Sequence, residues 1–218
     1  MNQHIGFNPR SQANSNALCD FVMADLRESC PAFAANLDAK RLTPTKNADV
    51  WTRVACRNVD LVFLDAEAKT ARAAVENKTI MTAHGKARWN RYGDLIAYCN
   101  HMHNHRPDCI ASAIVIVNCS PAYENPDAFA KGLMRPKFDM AKVVKDTVKI
   151  FAGVPLRTSA DEPNDQPEAI AVVVVDYDGQ HPAKLVTGDL SPQADSPIHY
   201  ESFIKRTCDL YRARFGRH

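Results

Sequence analysis

Apolar positions recur at helical spacing near the start of the chain. In residues 15–29, SNALCDFVMADLRES, they stand at Leu18, Phe21, Val22 and Leu26 behind a Ser/Asn start, which predicts a helix. Residues 33–42 suit a second one. The period then shortens: NADVWTRVACRNVDLVFLDA reads as strand, AEAKT as a turn and ARAAVENKTI as another strand. Two unbroken apolar runs follow, IASAIVIVN at 110–118 and AIAVVVVDYDG at 169–179. Runs of that kind are buried on both faces of a sheet. Helical spacing returns in DLIAYCNHMHNH, in MAKVVKDTVKIFAGV at 140–154, and in the closing YESFIKRTCDLYRARF. Loops are expected at 84–94, 120–137, 155–168 and 180–198, where Gly, Pro and polar residues gather. Strands followed by helix, strand, helix and strand predict an α/β (α+β) fold. One domain is expected over 1–218, with a core at about 15–118 and the elements of 140–218 packed on it.

Composition narrows the function classes. Hydrophobic residues make up 45% and charged residues 24% of the 218, as in an ordinary globular protein. The net charge is only +2, so contact with a polyanion has to come from a local cluster of Lys and Arg. The seven cysteines are odd in number and contain no CxxC, which predicts free, mostly buried thiols in a reducing cytosol. The start, MNQHIGFNPRSQ, has no apolar signal-peptide region, and no apolar run is long enough to cross a bilayer. Neither GxxxxGK[ST] nor GxSxG occurs, so neither a P-loop motor nor a nucleophile elbow is indicated.

The most informative spacing joins VDLVFL (59–64) to VENKTI (75–80). If the two strands form a hairpin that pairs Asp65 with Ala71, Asp60 falls opposite Glu76. Opposed side chains share a face, with Cβ atoms about 4.5–5.5 Å apart. Lys78, two residues past Glu76, points the same way. A divalent cation relieves the repulsion of two such carboxylates, and Mg²⁺ commonly binds one or two of them with phosphate oxygens and water. An adjacent lysine helps to activate water or to steady charge at phosphorus. The plain alternative is a hairpin with a solvated polar face.

Asp60 in NVDLVFLD, the Glu76/Lys78 pair in VENKT and the order of elements over 54–118 resemble the PD-(D/E)xK nuclease superfamily, which includes type II restriction endonucleases. The resemblance covers about a third of the chain, and Val59 stands where that family often has proline. It implies a restriction-endonuclease-like αβββαβ core. Asp60 and Glu76 would bind Mg²⁺, with Mn²⁺ able to substitute, and Lys78 would be the catalytic lysine. Glu28 is the candidate for a further acidic ligand on the first helix, with Asp25 behind it. The implied activity is hydrolysis of phosphodiesters in double-stranded DNA by a homodimer with one site per strand. A repair or recombination nuclease on the same core, and a non-catalytic DNA-binding scaffold, are the alternatives.

Other clusters bear on partners. HGKARWNRYGD interleaves Lys86, Arg88 and Arg91 with Trp89 and Tyr92, which suits phosphate contacts and base stacking. His101 and His105 share a helix face, with His103 between them, but no second ligand cluster follows, so polar helix-end roles are expected over zinc. Lys205, Arg206, Arg212, Arg214 and Arg217 on the closing helix give a charged face, solvated by default.

Overall fold

A computed structural model describes residues 12–123 and 139–216. The elements run α1 (Gln12–Ser29), α2 (Pro31–Asp38), β1 (Leu42–Trp51), β2 (Cys56–Asp65), β3 (Ala71–Ile80), α3 (His84–His105), β4 (Ile110–Asn118), α4 (Met140–Ala152), β5 (Ala169–Asp176), β6 (Lys184–Leu185) and α5 (Tyr200–Phe215). The six strands lie in sequence order in one mixed sheet. β1, β2 and β3 are antiparallel, β3–β4 and β4–β5 are parallel, and β6 returns antiparallel at the edge.

The two apolar runs are β4 and β5, central parallel strands buried on both faces, as their composition predicts. Val62, Ala74, Val115 and Val172 face Tyr98 of α3 and Phe151 of α4. Leu61, Phe63, Val75 and Ile114 face Cys19 of α1, Phe33 of α2 and Phe203 of α5. On α1 the buried stripe is Cys19, Val22 and Leu26, so Phe21 points outward and is 67% exposed.

Three expectations are corrected. The strand-like stretch from residue 47 is two strands, because residues 52–55 turn the chain: Thr52 N–H donates to Ala55 O at 2.9 Å. Pro44 sits in β1, which is an edge strand, the place where a missing amide is tolerated. The second helix is α2, started by Pro31 and finished before Lys40, whose φ is +54°. The expected loop at 84–94 is the first half of α3. Gly85 and Gly93 each weaken a helix by about 1 kcal/mol relative to alanine, but Leu95, Tyr98, Cys99 and Met102 bury its second half and hold it. Most of the expected loop at 120–137 lies outside the described residues, as does Arg217.

All seven cysteines are unpaired and five are buried. No helix among the described residues is long and apolar enough to cross a membrane.

Candidate functional site

The hairpin at the centre of the sequence argument forms with a local shift. Leu64, not Asp65, pairs with Ala71, and a bulge at Arg72 restores the expected register, so that Phe63 meets Ala73 and Leu61 meets Val75. Asp65 serves the turn instead. Its Oδ1 accepts from the Glu67 and Ala68 amides, both at 2.9 Å, and its Oδ2 accepts from Arg72 Nε at 2.7 Å. Burial alone would raise its pKa, but the Ala68 amide and the Arg72 guanidinium outweigh it and hold the carboxyl at about 2.

Asp60 departs from the expectation of a shared face. Val59 and Val62 both lie in the core under α3, whereas Leu61 lies in the core under α1, so the two-residue alternation of β2 inverts here. Across the ladder Asn47 adopts φ +52° and rolls the β1–β2 ribbon. The Asp60 carboxylate is therefore carried to the α1 side. Ser15 Oγ donates to its Oδ1 at 2.7 Å, and the Asn77 amide donates to its Oδ2 at 2.8 Å. The Asn77 side chain completes the cluster, donating to Ser15 Oγ at 3.2 Å and Cys19 Sγ at 3.4 Å. Burial pushes the Cys19 thiol up to about 11.

Glu76 and Lys78 do share a face, the one toward α3, and form an ion pair through Glu76 Oε1. Arg57 Nη2 reaches the same oxygen at 3.3 Å, with its guanidinium 5.6 Å from the centre of the Tyr98 ring. Glu76 is 4% exposed, and its Oε2 is buried without a hydrogen-bond partner among the described residues. That free oxygen is what a carboxylate ligand would offer a cation. Asp60, however, touches the backbone of β3 from the other side, so the two carboxylates do not form one coordination sphere in this arrangement. Among the described residues no group of three or more His, Cys, Asp or Glu is placed to hold a metal.

Asp60 and Lys78 nevertheless border one open cleft of about 500 Å³, together with Asn77, Thr79, Arg91 and the α1 side chains Ser15, Leu18 and Phe21. Ile116 of β4 and Val175 of β5 also line it, so it lies beside the carboxyl ends of the parallel strands, a usual place for ligands in such sheets. Glu76 stays behind Lys78, outside the lining. Ser15 carried no recognised motif. Its only trace in the sequence is the helical step from Ser15 to Cys19, which puts both on the sheet-facing side of α1.

Glu28 does not reach this site. It lies thirteen residues along α1 from Ser15, about 20 Å at 1.5 Å per residue, and is exposed at the α5 end. Asp25 is likewise engaged there, accepting from Tyr200 Oη at 2.6 Å.

The basic and aromatic residues split over α3. Arg91 borders the cleft, donating to Thr79 O at 3.3 Å and pairing with Asp94 at 2.7 Å. Arg88 faces α4 and pairs with Asp146 at 3.7 Å. Lys86 is exposed, and Trp89 packs edge-on to Tyr92 with ring centres 6.1 Å apart.

The three histidines fasten the end of α3. His101 bonds Val50 O at 2.9 Å. His105 accepts from the Ala71 amide through Nε2, so its Nδ1 carries the proton donated to Trp51 O. His103 is buried against Asn164 O and Glu168 Oε2. Glu168, fully buried, also accepts from Arg157 at 3.3 Å, Arg214 at 2.9 Å and the Ala111 amide at 2.8 Å. A lone acid at the head of an apolar run was the only sign of this network in the sequence. Arg206 and Arg214 of the closing helix are thus structural, bonded to Glu168 O and Glu168 Oε1, whereas Lys205 and Arg212 are exposed and pair with Asp209.

No family model, curated protein or solved structure matches this chain.

Proposed function

We propose that this protein is a DNA endonuclease of the restriction type, hydrolysing phosphodiesters in the cleft between α1 and the ends of β3–β5. The observation that carries the reading is Lys78 at the cleft wall. Its ammonium pairs with a buried glutamate two residues away, and an aspartate borders the same cleft. The order of helix, three antiparallel strands, helix and parallel strand supports it, being the order of the αβββαβ nuclease core. Glu76 holds the Lys78 ammonium in place, and Lys78 steadies negative charge on the phosphate as water attacks phosphorus and the P–O bond to the leaving oxygen breaks. Arg91, on the same wall, supplies a second positive charge for the phosphate. The resemblance of the sequence implies Mg²⁺ and a homodimer. Asp60 and Glu76 lie on opposite sides of β3 and do not meet around one cation here, and the comparison of Mg²⁺ with EDTA below tests that implication.

A second reading has its own support. Asp60 is fully engaged with Ser15 and Asn77, and Glu76 is neutralised by Lys78 and Arg57, as in a site that binds DNA without cutting it. Incubation with mixed-sequence genomic DNA, in Mg²⁺ and in EDTA, separates the readings. Discrete fragments in Mg²⁺ alone are expected. A smear of short products would indicate a repair or recombination nuclease instead. DNA binding without any cleavage would favour the scaffold.

A further inference from the structure

Away from the cleft, α3 and α4 enclose a groove that the nuclease chemistry does not use. It consists of two adjoining hollows of about 360 and 490 Å³ that share Arg88 and Asp146. Lys142 lines one, and Trp89, Tyr92 and Lys149 line the other. Trp89 is 56% exposed and braced edge-on by Tyr92. Lys142 and Lys149 are exposed and make no ion pair among the described residues, and the same holds for Lys86 near the rim. Two acids border the groove. Asp146 is paired with Arg88, and Asp139 caps α4 by accepting from the Lys142 amide. The groove lining therefore carries a net positive charge, with Lys142 and Lys149 outside any ion pair among the described residues, and a half-exposed indole.

We infer that this groove binds a single strand of nucleic acid, with phosphates on Lys142 and Lys149 and one base stacked on Trp89. An exposed aromatic ring beside unpaired lysines matches how strands are held without sequence preference. Bases in a duplex are stacked on one another and do not present a free face to Trp89, so the groove favours an unpaired end or displaced strand. Arg91 lies two residues beyond Trp89 on α3, about 200° round the helix, and faces the cleft, so the groove and the proposed catalytic wall lie on opposite sides of α3. The inference rests on the reading that nucleic acid is the partner, but not on cleavage.

The experiment is fluorescence anisotropy in EDTA, with a labelled twelve-residue oligothymidylate and a duplex of equal length as probes. The parent protein should prefer the single strand. Trp89→Ala should weaken that binding about tenfold or more, the size of one lost base–aromatic stack, and Trp89→Phe should recover most of it. Lys142→Gln with Lys149→Gln should flatten the slope of log affinity against log salt by about 1.4, two phosphate contacts on a single strand. With Trp51→Phe, Trp89 is the remaining one of the two tryptophans, and its fluorescence should be quenched on binding. The assay is run in EDTA and reads binding alone, so its outcome does not depend on whether the cleft cuts DNA, which separates this inference from the catalytic reading. It is overturned if the parent ignores the single strand, if it prefers the duplex, or if the Trp89 and lysine variants bind as the parent does.

Discussion

Asp65 shows how a single carboxylate ties sequence to stability. It is 8% exposed and receives two amides and a guanidinium at the turn between β2 and β3. Its pKa of about 2 lies below the ordinary 3.8, so the charged form is favoured in the folded protein. That stabilisation is fully present above about pH 4 and is lost as pH falls from 4 through 2. Each pKa unit corresponds to 1.36 kcal/mol, which makes the effect roughly 2 kcal/mol. Asp65→Asn should therefore lose about that much in urea unfolding at pH 7, and the gap from the parent should close as the pH is lowered to 2. A gap that stays constant with pH would assign the loss to packing instead. This residue was read in the sequence only as a strand end. Its role depends on the bulge at Arg72, which no two-residue period announces.

At the scale of elements, the β1–β2 ribbon decides where Asp60 points. Period-two reasoning held from Leu61 to Phe63 and failed one residue earlier, because Asn47 takes a left-handed conformation opposite. Asparagine tolerates that region better than most residues, and its Nδ2 also donates to Asn16 Oδ1 at 2.9 Å. Asn47→Val should cost about 1–3 kcal/mol in thermal or urea unfolding, since a β-branched side chain is strained at positive φ. Asn47→Gly should cost less than half as much. Equal losses in the two variants would show that the backbone conformation is not what matters there. The parallel strands β4 and β5 were legible in the sequence because burial on both faces needs an unbroken apolar run. The basic first half of α3 was not, because its glycines argue locally for a loop and the tertiary packing of its second half overrides them.

Across the whole molecule, the Glu168 network ties α3, the segment at 155–168 and α5 to the heads of β4 and β5. Removing its carboxylate would leave Arg157, which is also fully buried, without its counter-charge. Such a loss typically costs 3–5 kcal/mol. For a chain of this size Glu168→Ala should lower the melting temperature by roughly 6–20 °C. A change of less than 2 °C would mean that the backbone carbonyls around Arg157 are enough to hold it. The cleft that Asp60 and Lys78 both border lies at the opposite, carboxyl ends of these parallel strands. The clearest test of that cleft's function is single-turnover cleavage of duplex DNA in Mg²⁺ by the parent and by folded Lys78→Ala, with gel-shift affinity measured in Ca²⁺. The parent should cut, and Lys78→Ala should cut about 10²–10⁴-fold more slowly while binding DNA with unchanged affinity. A parent that cuts no DNA, or a Lys78→Ala variant that cuts at the parental rate, would contradict the proposed role of the cleft.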